Sequence, residues 1–141
     1  MSHLFKGILL AADGSENSLR SAQYAIELAI KFDGTVDAVY VVDGETAKQD
    51  VLHAQDKFAI EKQRNEKLQP IRELLEQSGV DYQTHFLHGE PGPKLVEFAN
   101  DRDFDCVVIG SRGLNNLQSF ILGSVSHKVV KRVDCPVLVV K

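Results

Sequence analysis

Short apolar runs alternate with longer amphipathic segments along the whole chain, and this alternation limits the folds that it can adopt. Each run has the length of a β-strand, and the continuously apolar ones are typical of strands buried on both faces of a parallel sheet. The runs occupy residues 7–12, 35–42, 80–87, 105–109 and 136–140, and helical periodicity fills 19–32, 57–78, 93–100 and 124–132. The pattern predicts one α/β domain over residues 1–141, a doubly wound parallel sheet of five strands with helices on both faces.

Local breaks in the pattern refine this prediction. Pro70 should kink the second helix or begin a new one, because proline lacks the backbone donor that a helix interior needs. Pro93 suits the first turn of the third helix. The run at 80–87 alternates in polarity, which favours an edge strand, and the polar segment 43–56 is long enough to form a flap over a site. More than one strand order fits this pattern.

Composition excludes several classes of protein. The chain is 43% hydrophobic and 26% charged with a net charge of -4, which argues against a dedicated nucleic-acid binder or a membrane-surface module. No apolar run has the length of a membrane span and no signal-peptide core follows Met1, so we expect a cytoplasmic protein. Cys106 and Cys135 form no CxxC pair, which favours two reduced thiols over a disulfide or a metal site.

Glycines follow the fourth apolar run and recur before the last helix. Gly110 and Gly113 let the backbone turn sharply and expose main-chain N–H groups to a bulky ligand. Gly123 and Ser124 then begin a helix whose positive dipole end faces that turn. The stretch is therefore a candidate cradle for phosphate. Its spacing matches neither a Walker A loop nor a Rossmann fingerprint.

The spacing G-2x-G-9x-G-S at 110–124 gains meaning from two other segments. Read together with Asp13-Gly14-Ser15 after the first strand and with the terminal Cys-Pro-Val-Leu-Val-Val at 135–140, it resembles the universal stress protein family over essentially the whole chain. The glycine pattern resembles that of the ATP-binding branch of the family. This resemblance implies the strand order 3-2-1-4-5 and a switch point between strands one and four. It also implies a homodimer through the last strand, Val137, Leu138, Val139 and Val140.

The resemblance also implies a set of adenine-nucleotide contacts. Asp13 would bind the ribose or adenine end, and the backbone of Val41 would contact adenine. Phosphate contacts would come from Gly110, Arg112, Gly113, Gly123, Ser124 and Ser126. Ala12 and Val125 complete the predicted site beside these residues. A carboxylate accepts hydrogen bonds from ribose hydroxyls, and glycine N–H groups with a helix dipole suit phosphate, so each role has a physical basis.

Simpler interpretations exist for the same residues. Asp13-Gly14-Ser15 is also an ordinary turn followed by a helix N-cap, and Gly123-Ser124 is also an ordinary helix start. Arg112 is the one basic residue of the glycine stretch, so triphosphate binding would call for Mg²⁺ or Mn²⁺, for which no metal ligand is nominated. His127 is more consistent with a solvent-exposed helix residue than with a phosphate ligand. The only reason to consider His53 is that it lies in the long polar segment 43–56, from which it could reach a nucleotide.

The residues favour binding over catalysis. We find no nucleophile, base and orienting acid that would make a hydrolase, so we expect an ATP-binding, nucleotide-responsive module with at most slow hydrolysis. One alternative is a nucleotide hydrolase or nucleotidyl-transfer enzyme of related fold. Another is a dimeric stress protein that binds no nucleotide and acts through protein contacts.

Overall fold

The computed structural model describes residues 5–42, 57–111 and 123–141. These residues form one parallel sheet with helices between its strands. In chain order the elements are β1 (Gly7–Ala12), α1 (Glu16–Phe32), β2 (Thr35–Val42), α2 (Lys57–Ser78), β3 (Tyr82–His88), α3 (Pro91–Asp101), β4 (Cys106–Gly110), α4 (Ser124–Arg132) and β5 (Val137–Val140). The predicted α/β class is confirmed, and so is the strand order, which is β3-β2-β1-β4-β5.

Strand β1 lies at the centre of the sheet. Ile8 pairs with Val36 of β2 on one side and with Cys106 of β4 on the other. Ile8, Leu9 and Leu10 are each 0% exposed, as a strand covered on both faces requires. The uninterrupted apolar run in β1 therefore reflects helices on both sides of the sheet.

Alternate residues of the strands contribute to two separate cores. On one face, Ile8, Leu10 and Tyr40 pack with residues of α1 and α2 such as Ala22 and Leu68. On the other face, the β-strand residues Leu9, Val39 and Val107 pack with Leu95 of α3 and Val129 of α4. Because α1 and α2 cover one face and α3 and α4 the other, the connections leave β1 and β4 toward opposite faces. This divergence opens a crevice at their carboxyl ends.

The end of α1 is fixed by a close backbone approach. Asp33 caps the helix in the left-handed conformation with φ 54°, and its N–H donates to Ala29 O. Gly34 follows, and a Cβ there would lie 2.4 Å from Lys6 O. Only glycine leaves room for the chain to enter β2, where Thr35 N–H donates to Lys6 O at 2.7 Å. The predicted stop at Asp33-Gly34 thus has a steric cause.

Of the two outcomes predicted at Pro70, the structure excludes a second helix, and Pro93 lies in a first helical turn as predicted. One continuous helix, α2, passes through Pro70, so no second helix begins there. Pro70 and Glu66, whose carbonyl loses its donor, are both exposed, and water can hydrogen-bond to that carbonyl. Helix α3 begins at Pro91, so Pro93 is its third residue and lies in the first turn. Extended Glu90 serves as the N-cap, and Pro91 suits the first helical position.

Other parts of the prediction are confirmed or lie outside the described residues. Strand β3 is an edge strand, although it begins at Tyr82 rather than at residue 80. Both cysteines are free thiols. The predicted flap at 43–56 lies outside the described residues. Within the described ranges, we find no helix that has both the length and the apolar character that a membrane span requires.

Replacing Gly34 tests the close approach at the entry to β2. Gly34→Ala should lower the free energy of unfolding by about 3 kcal/mol, because the new methyl group meets backbone oxygen atoms that cannot move aside. Urea unfolding followed by circular dichroism measures this loss. Gly7→Ala is the matched control, since its Cβ would lie 3.4 Å from the nearest atom, Asp103 O. Equal stability of the two variants would contradict the steric account.

Candidate functional site

The candidate site lies at the carboxyl edge of the sheet, where β1 and β4 end side by side. Parallel strands place all their carboxyl ends at one edge, so Asp13 after β1, Val41 near the end of β2 and Gly110 at the end of β4 share it. The crevice between β1 and β4 is the switch point that the resemblance implied. Ligands of doubly wound sheets bind at such points.

Hydrogen bonds tie the start of α4 to the end of β4. Gly123 N–H donates to Ser111 O at 3.0 Å, and the Ser126 hydroxyl donates to Gly110 O at 2.8 Å. Ser111 N–H in turn donates to Val140 O of β5 at 2.8 Å. These hydrogen bonds therefore hold the two ends of the glycine pattern, near Gly110 and Gly123, close together.

The first turn of α4 presents backbone donors to the crevice. The first hydrogen bond of helical spacing runs from His127 N–H to Gly123 O, so Ser124, Val125 and Ser126 precede it. The N–H groups of these three residues have no partner within a helix of this geometry. No acidic residue occupies the first turn, and Gly123 caps the helix without a side chain. This end of α4 carries positive dipole charge and suits an anion.

The two serines of α4 differ in their surroundings. Ser124 is exposed at the first helical position, where its hydroxyl can reach a ligand. Ser126 is 4% exposed and donates its hydroxyl hydrogen to Gly110 O, so it links α4 to β4. A phosphate contact from Ser126 stays a prediction, and its backbone N–H is the group suited to it.

Asp13 forms the turn that leads into α1. Its Oδ1 accepts hydrogen bonds from Ser15 N–H at 2.9 Å and from the Ser15 hydroxyl at 2.5 Å, and its own N–H donates to the Ser18 hydroxyl at 2.9 Å. Ser15 also caps α1 by accepting from Ser18 N–H. The interpretation of Asp13-Gly14-Ser15 as a turn followed by a helix N-cap is therefore correct. Among the described residues no donor contacts Oδ2.

Of the remaining predicted residues, some lie at this edge and others lie outside the described residues. Ala12 is 7% exposed at the end of β1 and lies opposite Tyr40 in the register. Val41 is half-buried one strand farther along, on the face covered by α3 and α4. Arg112 and Gly113 lie outside the described residues, so their phosphate roles stay predictions.

Packing brings two lysines toward this edge that the sequence pattern did not indicate. The stem of Lys67 on α2 lies against Gly14, where a Cβ would be 3.7 Å from Lys67 Cβ, and its ammonium donates to the Tyr40 hydroxyl at 3.2 Å. The stem of Lys128 on α4 crosses Gly92 at the start of α3. Neither contact has a local sequence signal, because each joins segments far apart in the chain.

Ser111 is a further residue that the sequence did not single out. It is 5% exposed, and within the described ranges neither its hydroxyl nor the Asn17 amide oxygen has a hydrogen-bond partner. Both residues contact the same carbonyl, because Asn17 Nδ2 lies 3.5 Å from Val140 O. The carboxyl ends of β4 and β5 and the start of α1 therefore meet at one polar point.

The titratable groups in the described part of the chain include two free thiols. No group of three or more His, Cys, Asp or Glu side chains there could hold a metal ion. Burial raises the pKa of the Cys106 thiol to about 11, and burial also raises the pKa of Cys135. Both thiols are therefore protonated at neutral pH and are poor nucleophiles. His127 is exposed on the first turn of α4, and His53 lies outside the described residues.

Known proteins resemble this chain over nearly its whole length. The model of the universal stress protein family matches residues 4–141. Universal stress protein MJ0531 of Methanocaldococcus jannaschii is 37% identical over 144 residues, which cover 99% of this chain and 84% of that protein. YxiE, a universal stress protein of Bacillus subtilis, is 30% identical over 149 residues, which cover 98% of this chain and 100% of that protein.

Solved structures share the same architecture. The structure of MJ0577 has a TM-score of 0.83 and 28% identity, and the match covers 98% of this chain and 96% of that chain. A universal stress protein in complex with cAMP has a TM-score of 0.75 at 22% identity and covers 98% of both chains. One from Archaeoglobus fulgidus in complex with dAMP has a TM-score of 0.68 at 24% identity and covers 98% of this chain and 99% of that chain. The sequence matches and the shared strand order lead to one conclusion: the chain belongs to the universal stress protein family.

Proposed function

We propose that this protein binds ATP at the crevice between β1 and β4 and acts as a nucleotide-responsive module with at most slow hydrolysis. The observation that carries the proposal is the pair of hydrogen bonds that fixes the start of α4 against Ser111 and Gly110 at the switch point. A helix N-terminus held rigidly at this place supplies phosphate donors that need no rearrangement on binding.

The nucleoside half of the proposed site lies on the neighbouring strands. Asp13 follows β1, and Ser15 N–H occupies its Oδ1. Its Oδ2 would accept a hydrogen bond from a ribose hydroxyl or the adenine amine. Val41 on β2 adds apolar surface and a strand-end backbone that can read a purine edge. The relatives in complex with cAMP and dAMP carry adenine nucleotides on the same fold. At 22% and 24% identity this likeness concerns the fold, so the assignment to this chain depends on its own residues.

The charge of the site suggests how a polyphosphate would be balanced. Backbone N–H groups and the dipole of α4 offset part of the phosphate charge, and Arg112 would add one cation. A triphosphate carries more negative charge than these groups neutralise. We therefore expect Mg²⁺ or Mn²⁺ to accompany ATP, bound mainly through phosphate oxygens and water, as is usual for Mg²⁺.

Equilibrium binding measured by calorimetry, with and without Mg²⁺, tests the proposed function. We expect a dissociation constant on the order of micromolar for ATP and negligible product formation over the same time. Rapid release of ADP or AMP would instead support the nucleotide hydrolase or transferase. Absence of binding would support a protein that acts through protein contacts alone.

Gly123 allows the phosphate end of the site to be tested within the described residues. A Cβ at Gly123 would lie 3.4 Å from Ser111 O, an ordinary contact, so Gly123→Ala should fold and keep most of the affinity. Compared with alanine, valine at this position adds two methyl groups beside the free N–H groups of α4. Gly123→Val should therefore weaken ATP binding by at least about tenfold. Thermal unfolding checks that both variants are folded. Unchanged affinity in folded Gly123→Val would contradict the phosphate assignment.

We also propose that the chain forms a homodimer through β5. This strand ends the order β3-β2-β1-β4-β5, and its residues Val137, Leu138 and Val139 are half-buried in the single chain. An apolar edge strand with free backbone groups favours pairing with a second copy. The last strand is also the dimer contact that the family resemblance implies.

A charged residue in β5 tests this assembly. Val139→Asp should shift the mass in solution toward the monomer, because a carboxylate would have to enter an apolar strand contact. Light scattering coupled to size-exclusion chromatography measures the mass. Val130→Asp is the matched control, since Val130 is 44% exposed on α4 and lies outside the strand. A dimer of unchanged strength in Val139→Asp would rule out the β5 contact.

A further inference from the structure

A lysine of α4 lies across the first turn of α3 because no side chain blocks its path. Gly92 is buried at the second position of α3, and a Cβ there would lie 2.8 Å from Cδ, 3.5 Å from Cβ and 3.7 Å from Cγ of Lys128. The whole stem of Lys128 thus follows the surface that Gly92 leaves open. This contact restricts the directions in which its ammonium can point.

The position of this contact places Lys128 at the ligand-binding edge. Gly92 belongs to the first turn of α3, which follows β3, so it lies at the carboxyl edge of the sheet. Lys128 is one turn beyond Ser124 on α4 and on the same side of that helix. Side chains on a helix lean toward its N-terminus, so the stem runs from Lys128 toward the turn that presents the free N–H groups.

Among the described residues, no ion pair of the Lys128 ammonium is observed. Helix α4 contains no Asp or Glu. On the neighbouring helix, the Glu97 carboxylate lies 3.7 Å from Lys94 Nζ. Lys128 is half-buried, and a partly desolvated cation near the start of a helix gains most from an anionic ligand.

We propose that Lys128 is a phosphate-binding residue of the nucleotide site, positioned by its contact with Gly92. The glycine stretch contains a single basic residue, Arg112, and Lys128 supplies a second cation from α4. The inference rests on the proposed function and adds a preference to it. Lys128 should favour nucleotides with a phosphate chain over the uncharged nucleoside, since its gain comes from charge rather than from the purine or ribose.

Removing the charge while keeping the stem tests the proposal. Lys128→Met should weaken binding of ATP, with Mg²⁺ present, by about tenfold and change binding of adenosine by less than about twofold. Lys128→Arg should retain most of the affinity. Lys131→Met is the matched control, because Lys131 is an exposed lysine in the last turn of the same helix. It should bind ATP like the unaltered protein.

A second variant moves the lysine without removing it. Gly92→Ala places a methyl group where the Lys128 stem lies, and alanine favours a helix more than glycine does, so the variant should fold. Gly92→Ala should weaken ATP binding by several-fold in the unaltered protein. In the Lys128→Ala variant, adding Gly92→Ala should cause no further loss of ATP affinity. An equal loss in both backgrounds would show that Gly92 acts independently of Lys128.

The outcomes separate this inference from the function on which it rests. If the unaltered protein binds neither ATP nor adenosine, both are overturned. If it binds ATP and Lys128→Met binds equally well at low salt, only the assignment of Lys128 is overturned. If Lys128→Met loses affinity for ATP and adenosine alike, the residue supports the fold of the site rather than phosphate. A loss confined to the phosphorylated ligand supports the proposal.

Discussion

The arrangement of the site depends on the attachment of α4 to the end of β4. Ser126 donates its hydroxyl hydrogen to Gly110 O, and Gly123 N–H donates to Ser111 O, so the helix start is bound at two points. A typical hydrogen bond contributes about 1 kcal/mol net, and a buried carbonyl left without its donor costs about 1–3 kcal/mol. Hydrogen bonds within the protein therefore fix the helix end that we propose for phosphate.

The doubly wound sheet gives this attachment its location. Because α1 leaves β1 toward one face and α4 leaves β4 toward the other, the crevice between these strands is lined by the starts of two helices. Asp13 forms the entry turn of the first helix, and we propose that its second carboxylate oxygen serves the site. In this proposal the same local structures stabilise the fold and present groups to a ligand. This dual use explains why a turn and a binding site share one sequence signal.

Regular elements could be predicted from the sequence, whereas contacts between distant segments could not. Strands β1 and β4 were predictable because burial on both faces leaves an uninterrupted apolar run. The strand order came from the family resemblance, since local periodicity does not encode which strands become neighbours. Pro93 was correctly predicted in the first turn of α3, but the sequence did not fix the first residue, Pro91, because either proline suits a first turn. The Ser126 bond to Gly110 and the crossing of Gly92 by Lys128 arise from packing between elements, for which a single sequence carries no signal.

The central claim is that the start of α4 binds the phosphates of an adenine nucleotide. An NMR titration of the ¹⁵N-labelled protein with ATP and Mg²⁺ tests it most directly, because each backbone amide reports its own surroundings. We expect the largest shift changes at the amides of Ser124, Val125 and Gly110. The open groove between α1 and α2, lined by Gln23, Ile26, Leu74 and Gln77, should change little. Large changes confined to that groove, with α4 unaffected, would contradict the account.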